Sequence, residues 1–211
     1  MGKRIRRHAD PYQCSTVVSA DHWIEPYRTH GGGEIWLDLG CGKGEFFAGL
    51  ATLYPHIFFI GIELRGKIAE TYFPTYRRLP NLLLLHGNVN LSIPSMMGRQ
   101  KVQKTFIHFP DPYTYKDRHK KRRMVNQGLV DGLCEILAAE GIVSVKTDDR
   151  ILFAEMDALF SKRLEPFSER VSSQTGATVL SEWENDCRGK SIPVYSRQYC
   201  FERPPSFFPS R

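Results

Sequence analysis

The chain has 211 residues, 41% of them apolar and 12% aromatic, which suits one globular domain with a real core and excludes a disordered protein. A net charge of +6 permits a polyanionic partner without requiring one. No apolar stretch approaches the roughly 20 residues that span a bilayer, and none follows the basic Met1–His8, so neither a membrane partner nor a secretory leader is expected.

Residues 1–33 show no clear period and read as a basic N-terminal arm. Ile35–Leu39 reads as a short buried strand running into a glycine loop, and Glu45 to about Leu53 as a helix. Ile57–Glu63 is a second strand, followed by a helix from about Gly66 to Leu79. Leu82–His86 and Thr105–Phe109 are the third and fourth strands. Helical patterns cover roughly Val125–Ala138 and Ile151–Leu164, on either side of a fifth strand, Gly141–Lys146. After Phe167 the pattern weakens, although Val194–Glu202 reads as a late antiparallel strand, and residues 204–211 form a tail. Strands alternating with helices predict an α/β fold built on a mostly parallel sheet. Five cysteines (Cys14, Cys41, Cys134, Cys187, Cys200) are widely spaced and never in Cys-x-x-Cys. That argues against disulfides or a metal site and for a reducing, cytoplasmic setting.

Ligands of such sheets bind outside the carboxyl ends of the strands, and polar residues collect there. Asp38-Leu-Gly40-Cys-Gly42-Lys-Gly44 follows the first strand, with Gly40 and Gly42 free to turn sharply beneath a ligand. Cys41 is either a reactive thiol or a small filler of the turn. Glu63 ends the second strand, as a ribose acceptor or a helix cap. Asn88 follows the third, to meet an adenine edge or to make a turn. Asp148, after the fifth, contacts substrate or caps a helix. The loop spacing is Gly-x-Gly-x-Gly, with Glu45 in the place of the third dinucleotide-fingerprint glycine. Asp38 and Glu45 put anions where pyrophosphate would sit. A ligand with a positive centre and no phosphate fits better, and S-adenosyl-L-methionine is the candidate.

Phe109-Pro-Asp-Pro-Tyr113 leads into six cations: Lys116, Arg118, Lys120, Lys121, Arg122 and Arg123. So much like charge points to a polyanion, and the carboxylate of Asp111, held between two prolines, to chemistry on that polyanion. The alternatives are a solvated basic loop and a turn aspartate.

Asp38–Gly44, Gly61-Ile-Glu63, Gly87-Asn88-Val89, Phe109–Pro112, Arg118-His-Lys-Lys-Arg-Arg123, Thr147-Asp148 and Ser181-Glu-Trp-Glu184, with Phe201-Glu-Arg203 closing, resemble the ordered motifs of the tRNA (guanine-N7)-methyltransferase family. The resemblance covers about Glu34 to Arg203, so residues 34–203 are expected to be the methyltransferase domain. It implies a Rossmann-like class I methyltransferase fold, a seven-stranded sheet with helices on both faces, and methylation of guanosine 46 in the variable loop of tRNA. Asp38, Glu63, Asn88 and Asp111 match positions that hold S-adenosyl-L-methionine, and Gly40 and Gly42 are the loop backbone expected to approach it. Lys116, Asp148, Ser181 and Glu184 match positions that contact tRNA, while Arg118, Lys120, Lys121, Arg122 and Arg123 suit phosphates. Asp111 is also the candidate catalytic residue, for stabilising charge on the methylated base or holding the guanine edge. The N-terminal cations Lys3, Arg4, Arg6 and Arg7 either clamp RNA or belong to a disordered end. Tyr113 stands where the family has Trp, Thr114-Tyr115 lengthens the next loop by one residue, and Ser181 and Trp183 replace Thr and Tyr or Phe. A monomer or homodimer is expected, with no partner subunit evident. The rival readings are another RNA-directed methyltransferase and a non-catalytic RNA-binding protein.

Overall fold

The computed structural model describes residues 10–113, 117–167 and 179–200. Lys116, the N-terminal cations through Arg7 and Phe201–Arg211 lie outside the described residues. Seven strands form one sheet in the order β3-β2-β1-β4-β5-β7-β6: β1 Ile35–Leu39, β2 Phe58–Glu63, β3 Leu82–His86, β4 Val102–His108, β5 Leu137–Thr147, β6 Glu165–Phe167 and β7 Tyr195–Cys200. The first five run parallel. β7 enters antiparallel between β5 and β6. The expected class of fold and the late antiparallel strand are both present.

β1 and β2 are buried at every position, as strands covered on both faces must be. Side chains alternate along each strand, so two cores form. On one face Leu37, Ile60 and Ile62 belong to the same core cluster as Leu133 of α6 (Gln127–Ile136) and Met156 and Phe160 of α7 (Arg150–Phe160). On the other, Trp36, Phe59 and Phe106 meet Phe46 and Phe47 of α2 (Glu45–Leu53). Their rings lie 5.1–5.7 Å apart in tilted and edge-on pairs. β1 leads on to β2 on one side and its other neighbour, β4, leads on to β5, so the connections from these two adjacent strands leave their carboxyl ends in opposite directions and open a crevice there.

Several boundaries move. The helix expected from Gly66 to Leu79 is α3 (Gly66–Tyr72), then a 3₁₀ turn at Phe73–Tyr76, because Pro74 cannot donate to an α-helical ladder. β5 starts at Leu137 and breaks register against β4 near Glu140, whose φ is 62°. α1 (Ile24–His30), α4 (Val89–Met96) and α8 (Glu182–Gly189) fall outside the expected pattern. The proposed arm also needs correction. Val18 and Trp23 are fully enclosed in the core, and Trp23 Nε1 donates to the Met96 carbonyl at 2.8 Å. From Val18 onward the segment packs as part of the domain. Among the described residues no helix is long and apolar enough to cross a membrane.

Candidate active site

The floor of the crevice is the glycine loop. Gly40 and Cys41 donate their N–H groups to the Ile62 carbonyl at 2.8 and 3.0 Å, which lays the loop over the end of β2. Gly40 and Gly42 have φ of 86° and 57°, a region closed to most side chains. A Cβ on Gly42 would meet nothing within 4 Å, so bare backbone faces open space there. Gly61 lies beneath, where a Cβ would strike Leu84 Cδ2 at 2.6 Å and Cys41 Sγ at 2.9 Å. Burial, and then the charges of Asp38 and Glu63, push the Cys41 thiol well above its ordinary value. Cys41 is therefore a protonated filler of the turn.

Two strand-end carboxylates differ. Glu63 is 3% exposed and ringed by donors: Gly42 N–H at 2.9 Å, Arg65 N–H at 2.9 Å and Arg65 Nε at 2.7 Å. Asp38 is as deeply buried, and desolvation followed by repulsion from Glu63 lifts its pKa to about 8. It lies behind the loop and lines neither cavity described below. Asn88 departs from its expected role. Its amide donates to the Pro11 and Cys14 carbonyls at 3.0 and 3.1 Å, and its Oδ1 caps α4 through Asn90 N–H. With both amide hydrogens committed, the side chain ties down the N-terminal segment while bordering the smaller cavity described below.

The rim is Phe109–Tyr113. Phe109 and Tyr113 take φ of 53° and 44°, each costing about 1–3 kcal/mol for a non-glycine residue. They bracket Pro-Asp-Pro and turn it over the floor. Phe109 N–H donates to the Lys146 carbonyl at 2.7 Å. Burial, followed by Asp111 and Asp10, pushes the Tyr113 phenol up to about 12, so it stays neutral.

The cations beyond the rim separate. Arg118 and Lys121 are exposed. Arg122 lies 3.7 Å from Asp10 and over the Tyr12 ring. Lys120 pairs with Glu155 at 3.1 Å. Arg123 is not a phosphate contact. Its side chain is 8% exposed, donates through Nε to the Pro112 carbonyl at 2.7 Å and pairs through Nη1 with Glu155.

The roof is α8. Ser181 Oγ caps it by accepting from Glu184 N–H at 3.2 Å. Glu184 is buried, faces Lys146 at 2.9 Å and lines neither cavity, so the expected substrate contact is instead an internal ion pair. Asp148 accepts from Trp183 Nε1 at 3.1 Å, joining the end of β5 to the roof. Lys43 of the glycine loop reaches Glu182 at 2.8 Å, joining floor to roof.

Between floor, rim and roof lies a cavity of about 350 Å³, and beside it, toward Glu63 and Asn88, one of about 110 Å³. Gly40, Arg65, His108, Phe109 and Asp111 border both. Arg65 and His108 stand outside the expected set, although Arg65 lies two residues beyond Glu63 and His108 ends β4. His108 Nε2 lies 3.3 Å from Ser144 Oγ. Burial, then Lys146 and Lys104, hold its imidazole well below the ordinary value, so it is neutral.

Residues 33–196 match a family model described as putative methyltransferase. A tRNA (guanine-N(7)-)-methyltransferase from Oceanobacillus iheyensis is 31% identical over 96% of this chain and 100% of its own. The chain belongs to that family. A relative of the same name from Nostoc sp. is 30% identical over 95% of this chain and 94% of its own. In fold, the chain resembles a 16S rRNA (adenine(1408)-N(1))-methyltransferase from Catenulisporales acidiphilia solved with its cosubstrate SAM. The TM-score is 0.56 at 10% identity, over 92% of this chain and 96% of the other.

Proposed function

We propose that this protein transfers a methyl group from S-adenosyl-L-methionine to N7 of a guanosine in tRNA, at position 46 of the variable loop. The observation that carries this reading is the wall common to the two cavities, where Asp111 faces the glycine loop from across the crevice. The residues fit the donor. Gly42 leaves backbone open to it, Glu63 offers a carboxylate at ribose position, and Asp111, on the wall of both cavities, suits a cationic ligand. Bound there, S-adenosyl-L-methionine supplies an electrophilic methyl on positive sulphur.

Guanine N7 carries a lone pair and no proton, so no general base is needed. Positioning is the main task, and aligned reactants gain about 7–11 kcal/mol of the barrier. Rim and roof hold the base between Asp111 and Trp183, and the floor holds the donor. As the ring becomes positive, the Asp111 carboxylate stabilises it in a site shielded from water; alternatively it holds the guanine edge through its N–H groups. Arg118 and Lys121 grip phosphates, positioning the RNA without reading sequence. Asp148 acts through Trp183. This activity puts the protein with its tRNA in the cytoplasm, as a monomer or homodimer.

The test is incubation of the purified protein with labelled donor and unmodified tRNA, followed by nucleoside analysis. 7-Methylguanosine mapped to position 46 is the expected product. Label in another nucleoside, or none, overturns the reading.

A further inference from the structure

The direction of Asp111 is set by its neighbours. Pro110 and Pro112 fix their own φ angles, and the segment that carries Asp111 is turned by the two left-handed residues at either end, Phe109 and Tyr113. Such backbone persists only where its surroundings over-determine it. On the near side the hold is Phe109 N–H on the Lys146 carbonyl. On the far side it is the Pro112 carbonyl, which accepts from Arg123 Nε at 2.7 Å. Arg123 is a nearly enclosed guanidinium, and a charge in that position needs a counter-charge. Glu155, on α7, supplies it, bonded to Arg123 Nη1 through one oxygen and to Lys120 Nζ at 3.1 Å through the other. Glu155 borders neither cavity.

We infer that Glu155 is a positioning residue for methyl transfer. Through the fork of Arg123 it holds the Pro112 carbonyl, and with it the Asp111 carboxylate, in place over the floor. A guanidinium suits this task because it donates to a carbonyl and a carboxylate at once from one rigid plane, whereas an ammonium is a single point charge. The inference rests on the role proposed for Asp111.

The experiment measures the full chain and three variants in steady state with tRNA and labelled S-adenosyl-L-methionine, alongside donor affinity by calorimetry. Glu155→Gln lowers kcat about tenfold to a hundredfold, the range for displacing a reacting group by about an ångström. Its tRNA KM and donor Kd stay within about twofold of the parent. Arg123→Lys keeps the charge and loses the fork, so it shows the same kcat deficit and serves if Glu155→Gln does not fold. Asp131→Asn, which breaks the exposed pair with Arg163, matches the parent. Parental kcat in Glu155→Gln overturns the inference. So does an unchanged kcat with a raised tRNA KM, which would make Glu155 an organiser of the RNA contact. A parent that makes no 7-methylguanosine defeats the proposed function; a parent that makes it, with a Glu155→Gln variant equally fast, defeats the positioning role alone.

Discussion

The basic run divides into two parts with opposite fates. Arg118 and Lys121 stand in solvent, whereas Arg123, two residues further on, is enclosed and bound to a proline carbonyl and a glutamate. The chemistry of the side chains is nearly the same, and what differs is the neighbour each meets. Pro112 presents a carbonyl and α7 presents Glu155 to Arg123, while Arg118 projects from the single turn of α5 (Asp117–Lys120). A cluster of cations is therefore not one binding patch. The outer members are available to an anion that arrives, and the inner one is consumed in building the edge that the anion must reach.

The largest effect comes from removing what the inner part holds. Asp111→Asn is expected to lower kcat by about 10²–10³-fold, the scale of losing one preorganised electrostatic partner, with donor affinity measured in parallel. Next, Arg123→Ala leaves the Pro112 carbonyl without its donor and Glu155 with Lys120 alone. It is expected to lose about 3 kcal/mol of stability, a drop of about 6–12 °C in Tm for a chain of this size, whereas Arg118→Ala leaves Tm unchanged. The outer part answers to salt. Combined Arg118→Ala and Lys121→Ala should weaken tRNA binding and reduce the log–log salt slope by about 0.7–0.9 for each phosphate that is no longer neutralised. Parental stability in Arg123→Ala, or a parental salt slope in the double variant, would erase the distinction.

The last test sharpens the comparison with a buried acid. Arg123 has a counter-ion, but Asp38 has Glu63 nearby, and its pKa is raised from 3.8 to about 8. A carboxyl raised on folding favours the native state most at pH below its unfolded value, and that contribution is lost as pH rises through the folded one. Stability of the ligand-free chain should thus decline between about pH 4 and 8 on this account, and Asp38→Asn should flatten the decline in a series of thermal melts.

The strands, the glycine loop and the crevice at the strand ends were legible because buried β-strands and turn glycines follow local rules. Three side chains have internal partners that the sequence did not announce, for one reason. Asn88, Glu184 and Arg123 have the right chemistry for ligands, but each is taken by a distant partner: Pro11 at a separation of 77 residues, Lys146 at 38 and Glu155 at 32. No local pattern announces such pairings. Arg65 and His108 border the cavities because strand ends align in space, and Trp23 joins the core without any period to mark it.

Gly61 touches nothing that binds, yet it works as a shim of zero thickness. Its missing methyl is the gap into which Cys41 and Leu84 settle, and it fixes how low the loop above can lie. One added carbon would raise the donor's bed while every recognised group kept its identity. Depth at this crevice is thus governed from below, by a residue no ligand meets.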